Sequence, residues 1–203
     1  MSSRDDILTS IRANLPRVER PLPHVPLFDD DPPASLLSAF KDSLHRMGGL
    51  FLDPPAFGDI LAPVRTKIAD AKIVCSTVPE IAGNWDIAGV DAPQDLADVD
   101  FAIVRASFAV AETGSVLLSD ADLHVNGVAY LAQHLIVLLD PADIVVNLHH
   151  AYRRPEFRAR HYASFHTGPS ATADIEGVLI HGAQGVRSLS ALPIARAVGN
   201  PTH

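Results

Sequence analysis

The sequence predicts an α/β protein with a mostly parallel open sheet and helices on both faces. Its length of 203 residues is enough for one well-buried core and argues against a second full domain. Hydrophobic residues make up 47% and charged residues 20%, a balance typical of globular proteins. Short aliphatic runs alternate with segments of helical spacing, which is the pattern of strands joined by crossover helices.

The first 34 residues are predicted to form a helix and an extended arm, separate from an α/β domain over residues 35–203. In residues 4–13, Ile7, Leu8 and Ile11 share one helical face. The following segment, Pro16–Pro33, contains six prolines, a density that prevents regular hydrogen-bond ladders and favours extended chain. The arm could cross the surface of the domain or of a neighbour, and both a partner-binding role and a passive linker remain open.

The first helix of the predicted domain spans Ser35–Arg46, with Ser35 as N-cap and two glycines as the stop. A second helix is expected over Phe57–Ala69, bent near Pro63, and a third in the later part of 143–153. Residues 79–98 read as irregular, anchored by Trp85. The predicted strands are 50–52, 72–75, β-rich 99–111, 115–118, 135–139, 162–166 and 188–194.

Composition argues against several functional classes. The formal charge of −8 and the absence of a Lys/Arg-rich block argue against nucleic-acid binding. The longest aliphatic run, Leu135–Leu139, is too short to span a bilayer, and Met1–Asp6 lacks the apolar segment of a secretory signal, so a cytoplasmic location is expected. The single cysteine, Cys75, is predicted to be a packed core thiol. One thiol excludes disulfides within the chain and argues against an iron–sulfur cluster held by this chain alone.

Metal and cofactor motifs give no support to a resident group. The ten histidines include no His-Glu-x-x-His spacing, and neither a Gly-x-Gly-x-x-Gly string nor a Gly-Lys-Ser/Thr loop occurs. We therefore predict no metal and no cofactor in this chain.

The segment Thr167–Glu176 is predicted to begin a helix that could hold an anion. Glycine gives backbone freedom, the hydroxyls can cap free N–H groups, and the acids lie near the positive helix end. Spare N–H groups could instead bind a phosphate or a carboxylate, although composition alone favours a structural cap. The candidate ligand-binding residues here are Gly168, Ser170, Thr172, Asp174 and Glu176.

Two further segments carry candidate residues. Glu112 lies at the end of a predicted buried strand, where ligands bind in open α/β sheets, and is a candidate nucleophile or general base. Equally, Glu112 could cap its own turn or pair with an arginine such as Arg105. Thr113 and Gly114 share that turn and are candidate ligand-binding residues. His181, in a glycine-framed loop, could also hydrogen-bond a ligand, although a loop that simply needs glycine is favoured.

Taken together, these segments resemble the LUD-domain family, whose short members are of the lactate utilization protein C type. The resemblance rests on Ala111–Ser115, Leu135–Leu138, Thr167–Glu176 and His181-Gly182, in that order and spacing, within about residues 35–195. The chain departs from the family pattern at Ala171, where many members carry arginine, and at Ala183, where they carry proline. If that arginine binds an anion, this chain must use another cation or a different ligand.

The resemblance implies a fold similar to glucosamine-6-phosphate deaminase, ribose-5-phosphate isomerase and the CoA transferases. It also implies a role in oxidising L-lactate to pyruvate, with partner proteins that carry the iron–sulfur clusters. On this basis the chain is expected to be an accessory subunit of a lactate-oxidising complex. A stand-alone enzyme using Glu112, or a sensor that binds a small carboxylate or phosphate, remains the alternative.

Overall fold

The computed structural model describes residues 3–16, 21–90, 92–174, 176–182 and 184–196. The helices in these ranges are α1 Ser3–Asn14, α2 Leu36–Arg46, α3 Ala62–Ile68, α4 Asp120–Leu123, α5 Val128–Leu131, α6 Leu148–Ala151 and α7 Pro155–Arg158. The strands are β1 Leu50–Phe51, β2 Val74–Ser76, β3 Phe101–Arg105, β4 Phe108–Val110, β5 Ser115–Ser119, β6 His134–Leu139, β7 Ile144–Val145, β8 Ala163–His166, β9 Ala171–Thr172, β10 Ile180–His181 and β11 Ser188–Pro193. None of the described helices is long and apolar enough to cross a membrane.

A parallel sheet of five strands, in the order β1-β11-β6-β3-β2, forms the centre of the fold and confirms the predicted α/β class. Successive side chains on a strand point to opposite faces, so each strand supplies two layers of core. Ile103 and Ile136 pack in one apolar cluster with Val64 of α3, whereas Leu135 packs on the other face with Phe40 of α2. The continuous aliphatic runs of these strands therefore reflect burial on both faces.

A second sheet of four strands, in the order β7-β4-β5-β8, is mixed rather than parallel, and the sequence had not indicated it as separate. The chain leaves the central sheet just after β3. Ala106 N–H still donates to Leu138 O of β6, but Ser107 N–H donates to Leu117 O of β5. The expectation that Glu112 lies at the carboxyl edge of an open parallel sheet is therefore wrong, because the strand before it belongs to the second sheet.

The predicted helix start at 167–176 is also wrong. Ala171 and Thr172 form β9, which pairs antiparallel with β10 in a short hairpin. Ser170 N–H donates to Val186 O at 2.9 Å, and Ser170 O accepts from Gly182 N–H at 2.6 Å. Because these backbone groups are committed to residues 180–187, they cannot make the local bonds of a helix. Asp174 and Glu176 lie exposed in the connection between the two strands.

Three local predictions have different outcomes: the one for the second helix is partly wrong, and those for Trp85 and Cys75 are confirmed. The second helix of the domain is shorter than expected and begins at Ala62, with Pro63 in its first turn rather than at a bend, where the missing N–H has no cost. Trp85 is half-buried against the main core and bridges Cys75 on β2. Cys75 itself is fully buried, as predicted, and burial raises the pKa of its thiol to about 11.

Candidate functional site

A cavity of about 860 Å³ lies between the C-terminal half of α2, the turn after β4 and the start of α6. Its polar lining includes Arg46, Glu112, Asn147 and His149, and its apolar lining includes Phe28 from the N-terminal arm. This volume is within the range of small-molecule sites in proteins, about 300–1,000 Å³. The cavity brings together four parts of the chain: the arm, α2, the turn after β4 and the start of α6.

Glu112 is an exposed lining residue whose backbone and side chain are both positioned by neighbours. Its N–H donates to Val146 O at 3.0 Å, and its carbonyl oxygen accepts from Ser43 Oγ at 3.1 Å. Its carboxylate oxygen Oε2 accepts from Leu148 N–H at 3.2 Å, at the start of α6. The carboxylate is thus oriented by the next element, while the turn itself is closed by Gly114 N–H donating to Val110 O.

The alternative that Glu112 pairs with Arg105 is wrong. Arg105 stands at the end of β3 in the central sheet, where it forms an ion pair with Glu80 and donates to Ile194 O. Glu112 follows β4 in the other sheet, so the two side chains belong to different surroundings. Its role as nucleophile or base stays a prediction.

The Glu-Thr-Gly turn is tied to the residues before Pro169 by a chain of hydroxyls. Thr113 Oγ1 and Ser115 Oγ lie 2.7 Å apart, and Ser115 Oγ is hydrogen-bonded in turn to Thr167 Oγ1. Gly114 has a φ of +68°, and a Cβ placed on it would lie 2.3 Å from Leu44 N of α2. Only glycine allows this approach, so Gly114 shapes the site by seating α2 against the turn.

The second glycine segment meets the same helix at its C-terminal end. A Cβ on Gly168, whose φ is +63°, would lie 2.2 Å from Met47 O. A Cβ on Gly48 would lie 3.4 Å from Pro169 Cδ and 3.6 Å from His181 Cε1. The structure therefore brings Gly114, Gly168 and His181 to the end of α2, although none of these three lines the cavity.

The remaining predicted ligand-binding residues are used inside the hairpin region. Ser170 Oγ donates to Gln184 O at 2.6 Å, and Thr172 Oγ1 accepts from Asp174 N–H at 3.2 Å. Asp174 and Glu176 are exposed. The cavity lining includes none of these four side chains, so Glu112 is separated from the hairpin residues that the sequence grouped with it.

Asn147 was missed by the sequence reasoning, which predicted the arm but did not place it at a site. Asn147 is only 4% exposed and caps α6, because its Oδ1 accepts from His150 N–H at 3.1 Å. Its Nδ2 donates to Leu27 O at 2.7 Å and to Phe28 O at 3.1 Å, which fixes the arm across α6. The Phe28 ring lies 4.7 Å from the His149 ring. An asparagine directly before a short helical segment was the available signal for this cap.

Arg46 was also missed, because a cation in the last turn of a helix is ordinary. Its Nη2 donates to Ser43 Oγ at 2.8 Å, and Ser43 is 4% exposed. Among the described residues, no carboxylate lies within 4.0 Å of the Arg46 guanidinium. The other lining charges are the carboxylates of Asp42 and Glu112.

A separate polar cluster lies beside Thr167. Burial lowers the pKa of His166 to about 4, so its imidazole is neutral at neutral pH. The ring of Tyr130 lies 4.9 Å from it, and the Tyr130 hydroxyl is hydrogen-bonded to that of Tyr162. Burial, together with that hydrogen bond, raises the pKa of Tyr162 to about 12. No group of three or more His, Cys, Asp or Glu side chains in the described ranges is placed to hold a metal ion.

Fold and site together define an α/β protein with a parallel central sheet, a packed mixed sheet and an open cavity beside α2. The sequence model of the LUD domain matches residues 64–191. The chain belongs to the LUD domain family, which is associated with lactate utilization. Glu112, Asn147 and His149 lie inside the matched residues, whereas Arg46 and Phe28 come from the segment before them.

The fold is shared with a solved structure, the crystal structure of a DUF162 family protein from Deinococcus radiodurans. The two align with a TM-score of 0.56 and 18% sequence identity over 77% of this chain and 94% of that chain. No curated protein matches the chain. The lactate utilization protein C type stays a prediction.

Proposed function

We propose that this chain is an accessory subunit of an L-lactate utilization system of the protein C type, located in the cytoplasm. Membership of the LUD domain family is the observation that supports it. Oxidation of lactate to pyruvate releases two electrons and two protons, which need an acceptor. The single thiol of this chain, Cys75, is buried and has a raised pKa, so it is a poor ligand for a cluster. In this proposal the electrons pass to iron–sulfur clusters of partner proteins.

Deletion of the gene in its host is the direct test. We expect growth on L-lactate to be lost, growth on pyruvate to be kept, and both to be normal after complementation. The growth on pyruvate controls for defects downstream of lactate oxidation. Normal growth of the deletion strain on L-lactate contradicts the proposal.

Native purification of the tagged chain tests the partners. We expect proteins with bound iron and acid-labile sulfide to be recovered with it, and cell fractionation to place the complex in the cytoplasm. A variant with residues 1–34 removed shows whether the arm contributes to the contact. Recovery of the tagged chain without any iron–sulfur protein contradicts this part of the proposal.

A second candidate function is a stand-alone enzyme or sensor that binds an anionic small molecule. The position of Glu112 in the cavity lining favours it. The carboxylate oxygen Oε2 of Glu112 accepts a hydrogen bond of 3.2 Å from Leu148 N–H. Glu112→Gln keeps an oxygen acceptor for that bond and removes the charge and the basicity. Asp98→Asn, the same neutralisation at an exposed position outside the cavity, is the matched control.

If Glu112 acts as nucleophile or base, Glu112→Gln abolishes lactate-dependent growth while Asp98→Asn does not. Unchanged lactate-dependent growth together with unchanged ligand affinity of Glu112→Gln excludes this role. Calorimetry with lactate, pyruvate and inorganic phosphate then separates an anion sensor from a subunit that only organises its partners.

A further inference from the structure

We infer that Arg46 anchors the head group of an amphipathic organic monoanion in the α2 cavity, and that this ligand is larger than lactate. The inference rests on the second candidate function, the binding of an anionic small molecule in this cavity, and names the class of that ligand. It rests on the placement of one arginine, the charges around it and the size and lining of the cavity.

Arg46 is a positioned cation with spare donors. Its Nη2 donates to Ser43 Oγ at 2.8 Å, and Ser43 Oγ donates to Glu112 O at 3.1 Å. This relay holds the guanidinium against the Glu-Thr-Gly turn. Arginine has five N–H donors in a planar fork suited to a carboxylate, sulfonate or phosphate, and the relay uses one of them. Within the described residues, no carboxylate oxygen lies within the 4.0 Å ion-pair distance of its guanidinium.

The surrounding charges favour a single negative charge on the ligand. The same lining contains the positive charge of Arg46 and the negative carboxylates of Asp42 and Glu112. A polyanion such as a nucleoside triphosphate would face both of them, and the whole chain carries a formal charge of −8. One anionic head can accept hydrogen bonds from the spare donors of Arg46 and meets less repulsion from these two carboxylates than a polyanion would.

The cavity is much larger than a lactate molecule, so lactate alone would not fill it. Lactate has six non-hydrogen atoms and occupies on the order of 100 Å³, about three times the share of one water molecule. The cavity measures about 860 Å³, so most of it would stay filled with water. The remaining space suits a body of drug-like size.

The lining outside the charged group is apolar and partly aromatic. Phe28 is 62% exposed although its ring lies 4.7 Å from that of His149. Pro33, Ala39 and Val146 line the same space. A planar or aliphatic body placed here would cover the exposed ring and gain the free energy of apolar burial. Arm and helix together thus provide an apolar wall beside the anion anchor.

The dye 8-anilinonaphthalene-1-sulfonate is a suitable probe, because it joins one sulfonate to a planar apolar body and fluoresces when sheltered from water. We expect saturable binding at one site of the full chain. Arg46→Gln should weaken it roughly tenfold, Arg46→Lys less, and Phe28→Ala several-fold. Glu112→Gln should tighten binding, because it removes a negative charge beside the sulfonate. Arg65→Gln changes the same charge outside the cavity and should have no effect.

Circular dichroism and thermal unfolding of every variant show that it is folded. Unchanged dye affinity in Arg46→Gln overturns the inference, and so does equal weakening by Arg65→Gln. Unchanged affinity in Phe28→Ala overturns the apolar wall as the place of the ligand's body. Competition by millimolar lactate as effective as that of an aromatic carboxylate overturns the size argument. The growth test of the proposed function needs no dye and the dye test needs no partner protein, so either can fail without the other.

Discussion

Replacing Gly114 by alanine places a methyl group inside the backbone of α2. The new Cβ would lie 2.3 Å from Leu44 N, 2.6 Å from Leu44 Cα and 2.7 Å from Ser43 C. These are helix backbone atoms, which cannot move aside as the end of a flexible side chain can. The clash can be relieved only if the turn and α2 move apart. A shift of α2 would also displace Arg46.

Two costs add in this variant. An alanine at a φ of +68° costs about 1 kcal/mol in conformational free energy relative to glycine. Overpacking against a rigid neighbour costs typically about 1–3 kcal/mol. We therefore expect a loss of about 3 kcal/mol in the free energy of unfolding. For a chain of this size that corresponds to a decrease in Tm of roughly 6–12 °C.

Gly177→Ala provides the matched control. Gly177 has a φ of +70°, but a Cβ placed there would meet nothing within 4 Å. It carries the conformational cost alone, so its expected loss is about 1 kcal/mol. Urea unfolding followed by circular dichroism measures both variants. Equal destabilisation of the two would refute the close approach of the turn to α2 as the reason for glycine at position 114.

Three other predictions concern buried polar groups. Because burial lowers the pKa of His166 to about 4, the unfolded chain binds more protons between pH 6.5 and 4, and stability falls as the pH decreases through that window. The loss between pH 7.5 and 4.5 should be about 2–3 kcal/mol larger in the wild type than in His166→Gln, and parallel pH profiles would contradict this assignment. Asn147→Ala should lower the free energy of unfolding by about 1–2 kcal/mol and speed chymotrypsin cleavage at Phe28, because it removes the hydrogen bonds to Leu27 O and Phe28 O. Asn84→Ala is the control: it removes hydrogen bonds to Lys72 O and Val74 N–H, away from the arm, and should leave that cleavage rate unchanged. Cys75, with its pKa raised to about 11, should not react with Ellman's reagent at pH 8 until the protein is unfolded, and rapid reaction of the native protein would rule out its burial.

Much of the central fold could be predicted from local signals. Ser35 caps α2, because its Oγ accepts from Ser38 N–H at 3.2 Å, as a serine before an amphipathic segment predicts. The run Leu135–Leu139 is a central strand buried on both faces, as its continuous aliphatic character predicts. Helix caps and apolar runs depend on residues that are close together in the sequence, so they can be recognised from the sequence alone.

The candidate site could be predicted only in part. Glu112 was identified because a carboxylate at a strand end is a visible local feature, and the structure places it in the cavity. Arg46 and Asn147 carry no comparable signal, since one resembles an ordinary helix end and the other an ordinary cap. Their significance arises from contacts such as that of Asn147 Nδ2 with Leu27 O, 120 positions away in the chain.

The sequence by itself determined the α/β class, the family and one lining residue of the cavity, because these depend on residue types in local order. Tertiary structure decided what became of the Gly-Pro-Ser segment. Glycine, proline and serine serve equally well at a helix start and in a turn, so local preference leaves the choice open. The choice was made by Val186 O, which accepts the N–H of Ser170, and by Met47 O, which only a glycine at position 168 can approach. Both partners lie outside the segment, and only the folded chain brings them to it.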